Sequence, residues 1–209
     1  MNGYPVTFAR TEFVALGSGA LFCPYNSALI LADLHLGKSE RMARRGGALL
    51  PPFETRDTLV RLQSVIDETN PENLYLLGDV FDDDAARETL SAQDRLLWQT
   101  ISSSVKCTIL AGNHDPGAQM EAMIGDITLR HIASNGPDIS GHYHPKARLK
   151  SITRPAFLIG HEHLILPAFG TFTGGLLATD PELAALVGSG VIVLTGPKPI
   201  PIPFEQQRR

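Results

Sequence analysis

The chain has 209 residues, 43% of them hydrophobic, and a formal net charge of −4 at pH 7. This length suits one domain with a substantial core, and the composition excludes a disordered or low-complexity chain. The negative charge argues against a generic nucleic-acid coat protein, but it does not exclude a phosphate-bearing substrate, because bound divalent cations make a site of carboxylates positive.

The two cysteines, Cys23 and Cys107, lie in apolar, strand-like stretches. They predict buried thiols rather than a disulfide framework or a sulfur metal site, which is typical of a reducing cytosol. No apolar run has the length of a membrane span, and the N-terminus has no basic-then-apolar signal pattern. We therefore expect a cytoplasmic protein without membrane association.

The first half of the chain predicts a β-α-β-α-β run with right-handed parallel crossovers. The predicted elements are a hairpin of 12–16 and 20–23, a strand at 28–31, a loop or loose helix at 38–52, a helix at 54–69, a strand at 74–78, a helix from Ser91 to about Ser103, a strand at 105–111 and a short helix from about Gly117 to Ile124. The helix at 54–69 is predicted from the helical spacing of Leu59, Leu62 and Ile66. Ser91 with Asp94 resembles a helix-capping arrangement.

After Gly125 the pattern changes to short strand-like stretches that alternate with glycine and proline turns. These stretches cover residues 127–132, 146–152, 156–159, 163–166 and 190–195, and only 181–187 has helical character. We expect a second, largely antiparallel sheet packed on the first, with helices outside. Residues 1–196 are predicted to form one domain, and the proline-rich residues 197–209 an extended tail. That tail is either an edge segment lying on the body or a polyproline segment that binds a partner.

Four short motifs place polar side chains directly after predicted strands. They are Asp33-Leu34-His35, Gly78-Asp79, Gly112-Asn113-His114-Asp115 and Gly141-His142-Tyr143-His144. The carboxyl ends of strands in an open α/β sheet are where ligands bind. In an extended segment, alternate residues lie on the same side, so Asp33 and His35 can reach one point. Carboxylates, an amide oxygen and imidazoles suit divalent metals, and the motifs therefore predict a metal site with Asp79 at its middle.

This ordered set resembles the calcineurin-like metallophosphoesterase superfamily over about residues 25 to 176. The resemblance implies an α/β fold, a four-layer α/β/β/α sandwich of two mixed sheets, with two metals at the sheet ends. The implied ligands of one metal are Asp33, His35, Asp79 and His144, and those of the other are Asp79, Asn113, His142 and a further histidine from between the third and fourth motifs. His131 is the only histidine there; its alternative interpretation is an ordinary histidine at a strand end.

The resemblance also implies a mechanism. Asp79 would bridge two metals, which polarise a phosphoryl oxygen and hold a hydroxide for in-line attack. His114 would protonate or stabilise the leaving oxygen, with Asp115 orienting its ring. The alternative for His114 is a structural hydrogen bond.

A narrower resemblance is to the bacterial ligase-associated DNA-damage-response phosphoesterases, the PdeM group. It rests on the stretch from Asp33 to Lys38 with the arginine-bearing loop after it, on His144-Pro145, and on the late stretch 166–175. This resemblance implies a manganese-preferring phosphodiesterase that acts as a DNA endonuclease or repair nuclease, functionally associated with a DNA ligase or helicase. Iron, zinc and magnesium are the alternative metals. The glycines of 166–175 predict a close backbone approach in a turn.

Three further sets of charged or titratable residues allow only weaker predictions. The basic residues after His35 either contact substrate phosphates or form a solvated face; they are Lys38, Arg41, Arg44 and Arg45. The run 82–84 predicts a solvated loop and helix start, with support of a metal ligand by Asp82 as the alternative. His161 and His163 share a face of a predicted strand but have no matching ligands nearby.

Two other function classes stay open. One is a hydrolase of small nucleotide, cyclic-nucleotide or lipid-linked pyrophosphate substrates, because residues 74–84 also resemble the hydrolases of UDP-diacylglucosamine. The loop that begins at Gly37-Lys38 offers no obvious apolar lipid cap, however. The other is a catalytically inactive scaffold of the same superfamily, against which the intact His114 and the complete ligand set argue.

Overall fold

The computed structural model describes residues 2–47, 49–114 and 119–205. The strands of the described chain are β1 (Gly3–Phe8), β2 (Thr11–Leu16), β3 (Leu21–Cys23), β4 (Ala28–Leu31), β5 (Asn73–Leu76), β6 (Lys106–Ile109), β7 (Glu121–Ile124), β8 (Ile127–Arg130), β9 (Asp138–Ser140), β10 (Lys146–Leu149), β11 (Ile152–Ile159), β12 (His163–Ile165), β13 (Gly190–Leu194) and β14 (Ile200–Phe204). The helices are α1 (Lys38–Arg44), α2 (Glu54–Thr69), α3 (Asp84–Thr89), α4 (Ala92–Ser104) and α5 (Pro181–Val187). Among these helices none is both long and apolar enough to span a membrane.

The first sheet has the strand order β1-β2-β3-β4-β5-β6. Strands β4, β5 and β6 run parallel, with Leu31 opposite Leu76 and Leu76 opposite Ile109. Their carboxyl ends therefore lie along one edge, which is the edge that carries the first three motifs. Strand β1 was not predicted. It contains Pro5, which an edge strand tolerates because its outer side needs no hydrogen bonds.

The second sheet has the order β14-β13-β11-β12-β9-β8-β7, with β10 paired to β11. Strands β12, β9 and β8 are parallel neighbours, and the other pairs are antiparallel, so the sheet is mixed. Strand β14 comes from the proline-rich segment and pairs with β13 at the edge of the sheet. Pro201 and Pro203 occupy alternate positions in β14, as an edge strand allows.

The predicted short helix at 117–124 is wrong over the residues that the structure describes. Residues 121–124 form β7, which is antiparallel to β8, with Ile124 opposite Ile127. Ala122 packs against the core and Ile124 is buried, whereas Glu121 and Met123 are exposed. This alternation has the period of two that is typical of a half-buried strand. The stretch is too short for its sequence periodicity to distinguish a strand from a helix, so its secondary structure is determined by tertiary packing.

Side-chain alternation in the two sheets produces four layers. In β4, Ala28 and Ile30 face the second sheet, where they join Phe157 and Ile139 in one apolar cluster. Leu29 and Leu31 point the other way and pack with residues of α2 and α4, including Leu59, Leu62 and Ile101. On the outer face of the second sheet, Leu158 and Ile165 pack against Leu183 of α5. The order helix, sheet, sheet, helix confirms the predicted four-layer α/β/β/α sandwich.

Candidate metal centre

The four motifs meet at one place, where the carboxyl ends of the parallel strands of both sheets come together. The backbone N–H of His142 donates to Oδ2 of Asp33 over 2.9 Å, and the backbone N–H of His114 donates to Oδ1 of Asp79 over 2.9 Å. The first contact joins the two sheets, because Asp33 follows β4 and His142 follows β9. The site is therefore assembled by sheet packing.

Five site residues have left-handed backbone conformations. The φ angles are 56° for Asp33, 48° for His35, 51° for Asp79, 70° for His142 and 47° for His144. Each such non-glycine residue costs roughly 1–3 kcal/mol, and such conformations persist only where the surrounding structure holds them. Their concentration here, in segments that leave strands and turn sharply, indicates a functional site rather than ordinary turns.

Asp33, His35 and His144 form the first group of donor atoms. Nε2 of His144 lies 3.4 Å from Oδ1 of Asp33 and 3.3 Å from Nε2 of His35. All three side chains offer an atom to one point, since these atoms lie within 4.8 Å of one another. Asp33 and His35 are buried, whereas His144 is half-buried.

The second group of donor atoms surrounds Asp79. Nε2 of His131 lies 3.5 Å from Oδ2 of Asp79 and 3.2 Å from Nδ1 of His142. The amide of Asn113 approaches the same His142 atom, at 3.5 Å from its nitrogen, and rotation of the amide would present its oxygen there instead. Asp33 also belongs to this group, because it lies with Asp79 and His131 within the same 4.8 Å limit. The two groups are therefore adjacent.

Contacts on the outer side of two imidazoles indicate which nitrogen faces the centre. Nδ1 of His131 lies 2.7 Å from the carbonyl oxygen of Leu77, which can only accept, so Nδ1 carries the proton and Nε2 keeps a lone pair. Nδ1 of His35 lies 2.9 Å from Oδ1 of Asp82, an ion-pair contact that also turns Nε2 toward the centre. Burial lowers the pKa of His142, and the neighbouring His131 lowers it further, which favours the neutral, metal-binding form.

Asp82 is fully buried, so its predicted solvated position is wrong and the alternative, support of a ligand, fits. Besides His35, it pairs with Arg41 and lies 3.9 Å from Nζ of Lys38. Burial by itself would raise the pKa of Asp82, but its close interaction with His35 and the charges of Lys38 and Arg41 outweigh burial and hold the pKa below its usual value. Asp83 caps α3 by accepting from the backbone N–H of Ala86.

Gly141 and Gly78 show why glycine precedes a ligand in two motifs. A Cβ atom on Gly141 would lie 2.6 Å from Oδ2 of Asp33. On Gly78, whose φ is 80°, it would lie 2.7 Å from Nδ1 of His131. A side chain at either position would displace the side chain of a donor residue, so these glycines are required by close approach.

His114 lies at the open side of the centre. Its side chain is 36% exposed, and Nε2 lies 4.0 Å from Oδ2 of Asp79. It also forms a donor group with His35 and Asp79. Asp115, the predicted orienting residue, lies outside the described residues. Asn113 is exposed on the same side, so a substrate can approach the centre from here.

The predicted basic residues all carry ion pairs with the aspartates after Phe81. Arg44 lies 3.0 Å from Oδ1 of Asp83 and 2.7 Å from Oε1 of Glu40, and Arg45 lies 3.6 Å from Oδ2 of Asp83. Lys38 and Arg41 pair with Asp82, as described above. The side chain of Arg45 is 64% exposed and is the freest of the four to meet a substrate.

His161 and His163 are not in the centre. His161 is exposed beside Glu162, and Nδ1 of His163 lies 2.9 Å from Oδ1 of the buried Asp138. Neither belongs to a donor group among the described residues.

The donor atoms fit divalent cations. Oδ1 of Asp33 is buried and accepts no hydrogen bond within the described chain. Such an orphaned carboxylate oxygen is costly unless a cation compensates it. Nε2 of His131 keeps a lone pair and faces Asp79, so a cation there would engage it. The mixture of carboxylates and imidazoles is the donor set of borderline divalent metals.

The comparisons with known proteins agree with this chemistry. The family model for the calcineurin-like phosphoesterases matches residues 27–170. The Pseudomonas putida nuclease MPE has a similar structure, with a TM-score of 0.77 and 26% sequence identity over 96% of this chain and 100% of that one. Yfce, a phosphoesterase from E. coli, aligns with a TM-score of 0.44 and 13% identity over 84% of this chain and 97% of its own, a likeness too slight to support an argument. No curated protein sequence matches the chain.

The fold and the centre together define a metal-dependent phosphoesterase. The family model covers well over half of the chain, and the chain therefore belongs to the calcineurin-like phosphoesterase family. The similarity to nuclease MPE is consistent with the narrower resemblance to the ligase-associated group.

Proposed function

We propose that this phosphoesterase is a two-metal phosphodiesterase that cleaves DNA, in the context of DNA repair. The observation that carries the proposal is the pair of adjacent donor groups, one around His35 and His144 and the other around His131 and His142. The buried carboxylates of Asp33 and Asp79 lie between them. One cation would satisfy only one group, so the arrangement supports two.

In the proposed reaction, two bound divalent cations would polarise the phosphoryl group and make the attacking water more acidic. The chain itself supplies three other functions. Asp79 and Asp33 would offset the repulsion between two cations. Asp82 and the Leu77 carbonyl hold the rings of His35 and His131 with their Nε2 atoms inward. His114, at the open side, is placed to donate a proton to the leaving oxygen. Asp115 keeps its proposed role as the residue that orients His114.

Manganese is the proposed metal. Mg²⁺ binds oxygen ligands in an octahedral site, and a centre with four imidazoles disfavours it. Mn²⁺ accepts a mixture of imidazole and carboxylate ligands. Iron and zinc accept imidazoles as well, so reconstitution with each metal in turn tests the choice.

DNA is the proposed substrate for two reasons. A nuclease shares the fold over its whole length at 26% identity, and the centre is open at His114 and Asn113, where a long chain can lie across it. Such a substrate places the protein in the cytoplasm, and the two free thiols agree with a reducing compartment. Functional association with a DNA ligase or helicase belongs to this proposal.

The experiment that tests the proposal is a substrate screen on metal-free protein reconstituted with Mn²⁺, Mg²⁺, Zn²⁺ or Fe²⁺. The substrates are bis-p-nitrophenyl phosphate, p-nitrophenyl phosphate, 2′,3′-cyclic nucleotides, and single- and double-stranded DNA. We expect Mn²⁺ to restore diester hydrolysis best and DNA to be cut. Hydrolysis of small diesters without any cutting of polynucleotides would reject the nuclease function.

A second candidate function is favoured by a cavity of about 570 Å³. Its lining includes Gly37 near the ligand His35 and the apolar side chains of Leu49, Leu50 and Leu90. A cavity of this size suits a drug-sized or lipid-like group, and Leu49 and Leu50 give it apolar surface that the sequence did not indicate. Hydrolysis of a nucleotide-linked or lipid-linked pyrophosphate is the corresponding activity, and adding such a substrate to the screen tests it.

A further inference from the structure

Phe53 and Phe172 form an exposed pair of aromatic rings. Their ring centres lie 5.8 Å apart with an interplanar angle of 59°. Phe53 is 56% exposed and Phe172 41% exposed. Single exposed apolar residues are ordinary, but two paired rings that both stay open to solvent need an explanation. Each presents a π-face that no other ring in the described chain covers.

The backbone of Phe172 is strained and firmly held. Its φ is 60°, in the left-handed region that a bulky residue rarely adopts. The residues on either side are fixed. Thr171 donates its N–H to Oγ1 of Thr58 and its hydroxyl to Asp57, and Oγ1 of Thr173 donates to the carbonyl of Gly170. Strain that the surroundings hold in this way is typical of functional positions.

The turn that carries Phe172 contacts the backbone of a donor residue at each of its ends. The N–H of Gly170 donates to the carbonyl of Asp33 over 3.0 Å. At the other end, a Cβ atom on Gly175 would lie 1.9 Å from the carbonyl oxygen of His144. The predicted close approach of this glycine-containing stretch is therefore found, and its partners are two donor residues. Phe172 lies in the chain between these two anchors, and we infer from this that the aromatic pair is near the rim of the centre.

Lys146 provides a positive charge next to the same turn. It follows the donor residue His144 by two positions, and its Nζ donates to the carbonyl oxygen of Thr173 over 3.1 Å. No carboxylate of the described residues forms a salt bridge with it, in contrast to Lys38, Arg41, Arg44 and Arg45. Its charge is therefore uncompensated beside a centre that accepts phosphodiesters.

We propose that Phe53, Phe172 and Lys146 form a subsite for one nucleotide next to the cleaved phosphodiester of a single-stranded nucleic acid. An unpaired base stacks on the aromatic pair, and the ammonium group of Lys146 meets a neighbouring phosphate. Stacking rings with a cation along the backbone path are how proteins bind single strands without reading their sequence. A base inside a duplex cannot reach these rings. The inference rests on the proposed nuclease function and narrows its substrate to single strands or unpaired regions.

The test compares two oligonucleotides that differ only in their bases. One is an ordinary single strand, and the other has the same phosphates but abasic sugars throughout; both carry phosphorothioate linkages to slow cleavage. Fluorescence anisotropy on the metal-loaded protein gives the affinity for each. We expect the wild type to prefer the strand with bases by about five- to a hundredfold, the range that stacking on an aromatic residue provides.

The aromatic variants should change the preference for the strand with bases over the abasic strand. Phe53→Leu combined with Phe172→Leu keeps apolar bulk but removes both π-faces, so the preference should fall close to one. Phe53→Leu alone avoids the strained position and should lower it part of the way, while Phe172→Tyr should retain it. Tyr25→Leu is the matched control. This exposed aromatic residue precedes β4, at the end of the strand opposite the centre, and its loss should leave the preference intact.

Lys146→Gln should weaken binding of both oligonucleotides by a similar factor and lower the slope of log affinity against log salt by about 0.7, the value for one phosphate contact on a single strand. A wild type without any preference for bases, or a double variant that keeps the preference, would overturn the subsite. Cutting of ordinary DNA by the wild type in either of those cases leaves the nuclease function standing. A wild type that hydrolyses bis-p-nitrophenyl phosphate but cuts no polynucleotide overturns both proposals.

Discussion

Nδ1 of His35 lies 2.9 Å from Oδ1 of Asp82, and both side chains are almost entirely buried. This contact fixes the ring of His35 with Nε2 toward Asp33 and His144. A carboxylate behind a metal-binding imidazole also raises its basicity, and removing such a partner typically lowers metal affinity by 10- to 100-fold. We therefore expect Asp82 to influence metal binding through His35, without contributing a donor atom itself.

Asp82→Asn should lower metal affinity by about 10- to 100-fold, because the amide keeps the shape but loses the charge. Isothermal titration calorimetry with Mn²⁺ measures the change. Asp84→Asn, an exposed position in the same aspartate run, is the matched control and should bind metal like the wild type. Equal affinities in all three proteins would show that Asp82 serves only to pair with Arg41 and Lys38.

Metal removal should abolish activity, and Asp79 should be the residue on which occupancy depends most. We expect EDTA to stop hydrolysis of bis-p-nitrophenyl phosphate and Mn²⁺ to restore it better than Mg²⁺. Asp79→Asn should hold fewer metal ions per chain as well as react more slowly, since its carboxylate reaches the second donor group. Metal analysis together with rates separates the two effects. Full activity of Asp79→Asn in EDTA would reject the two-metal centre.

The structure brings together the side chains that the four motifs singled out, because their positions depend on local rules. A parallel strand buried on both faces is apolar throughout, so the first polar residue after β4 or β5 marks the ligand edge of the sheet. His131 could be selected because it is the only histidine between two motifs, and the structure places it against Asp79. These inferences needed no knowledge of how the sheets pack.

Other features depend on contacts between distant segments and could not be predicted. Asp82 looks like part of a solvated aspartate run until the fold buries it against His35 and Arg41. The stretch that forms β7 is too short for its pattern of exposed and buried residues to indicate a strand rather than a helix. Only the packing of Ile124 on the core shows which it is. Phe53 and Phe172 become a pair only when the start of α2 meets the turn near His144, and no short-range pattern reveals that.

His114→Ala should keep its metal ions and lose rate. The proton that His114 donates matters most for an alkoxide leaving group, so the rate of DNA cutting should fall more than that of bis-p-nitrophenyl phosphate, roughly 10²–10⁴-fold for a full general-acid contribution. Metal content of the purified variant is the necessary control, because His114 also forms a donor group with His35 and Asp79. Equal losses on both substrates would contradict the leaving-group role.

Cys107 should make the fold sensitive to alkaline pH. Burial raises the pKa of its thiol to about 11 from an ordinary value of 9.0. The folded state therefore favours the protonated thiol, and its contribution to stability is complete below pH 9 and is lost as the pH rises toward 11. Urea unfolding at pH 8 and pH 10.5 should show a smaller loss of stability for Cys107→Ala than for the wild type. An identical loss in both would mean that the thiol does not titrate differently on unfolding.

Replacing Arg45 or Arg41 by alanine should affect different properties of the protein. Arg45 is 64% exposed and pairs loosely with Asp83, so its charge can still meet a DNA phosphate. Arg45→Ala should weaken DNA binding severalfold and lower the salt slope by about 0.7 to 0.9, with metal affinity unchanged. Arg41 is paired with the buried Asp82, and Arg41→Ala leaves that carboxylate with less compensation next to His35. It should alter metal affinity and hydrolysis of bis-p-nitrophenyl phosphate, while the salt slope stays the same.

Anisotropy titrations at several salt concentrations and calorimetry with Mn²⁺ separate these two outcomes. Arg44 is held between Glu40 and Asp83, and this double pairing raises its pKa. Its charge is therefore engaged within the protein, and Arg44→Ala should lower the salt slope less than Arg45→Ala does. If Arg45→Ala binds DNA with the wild-type affinity and salt slope, the basic run is a solvated face, and phosphate contact must come from elsewhere, for example from Lys146.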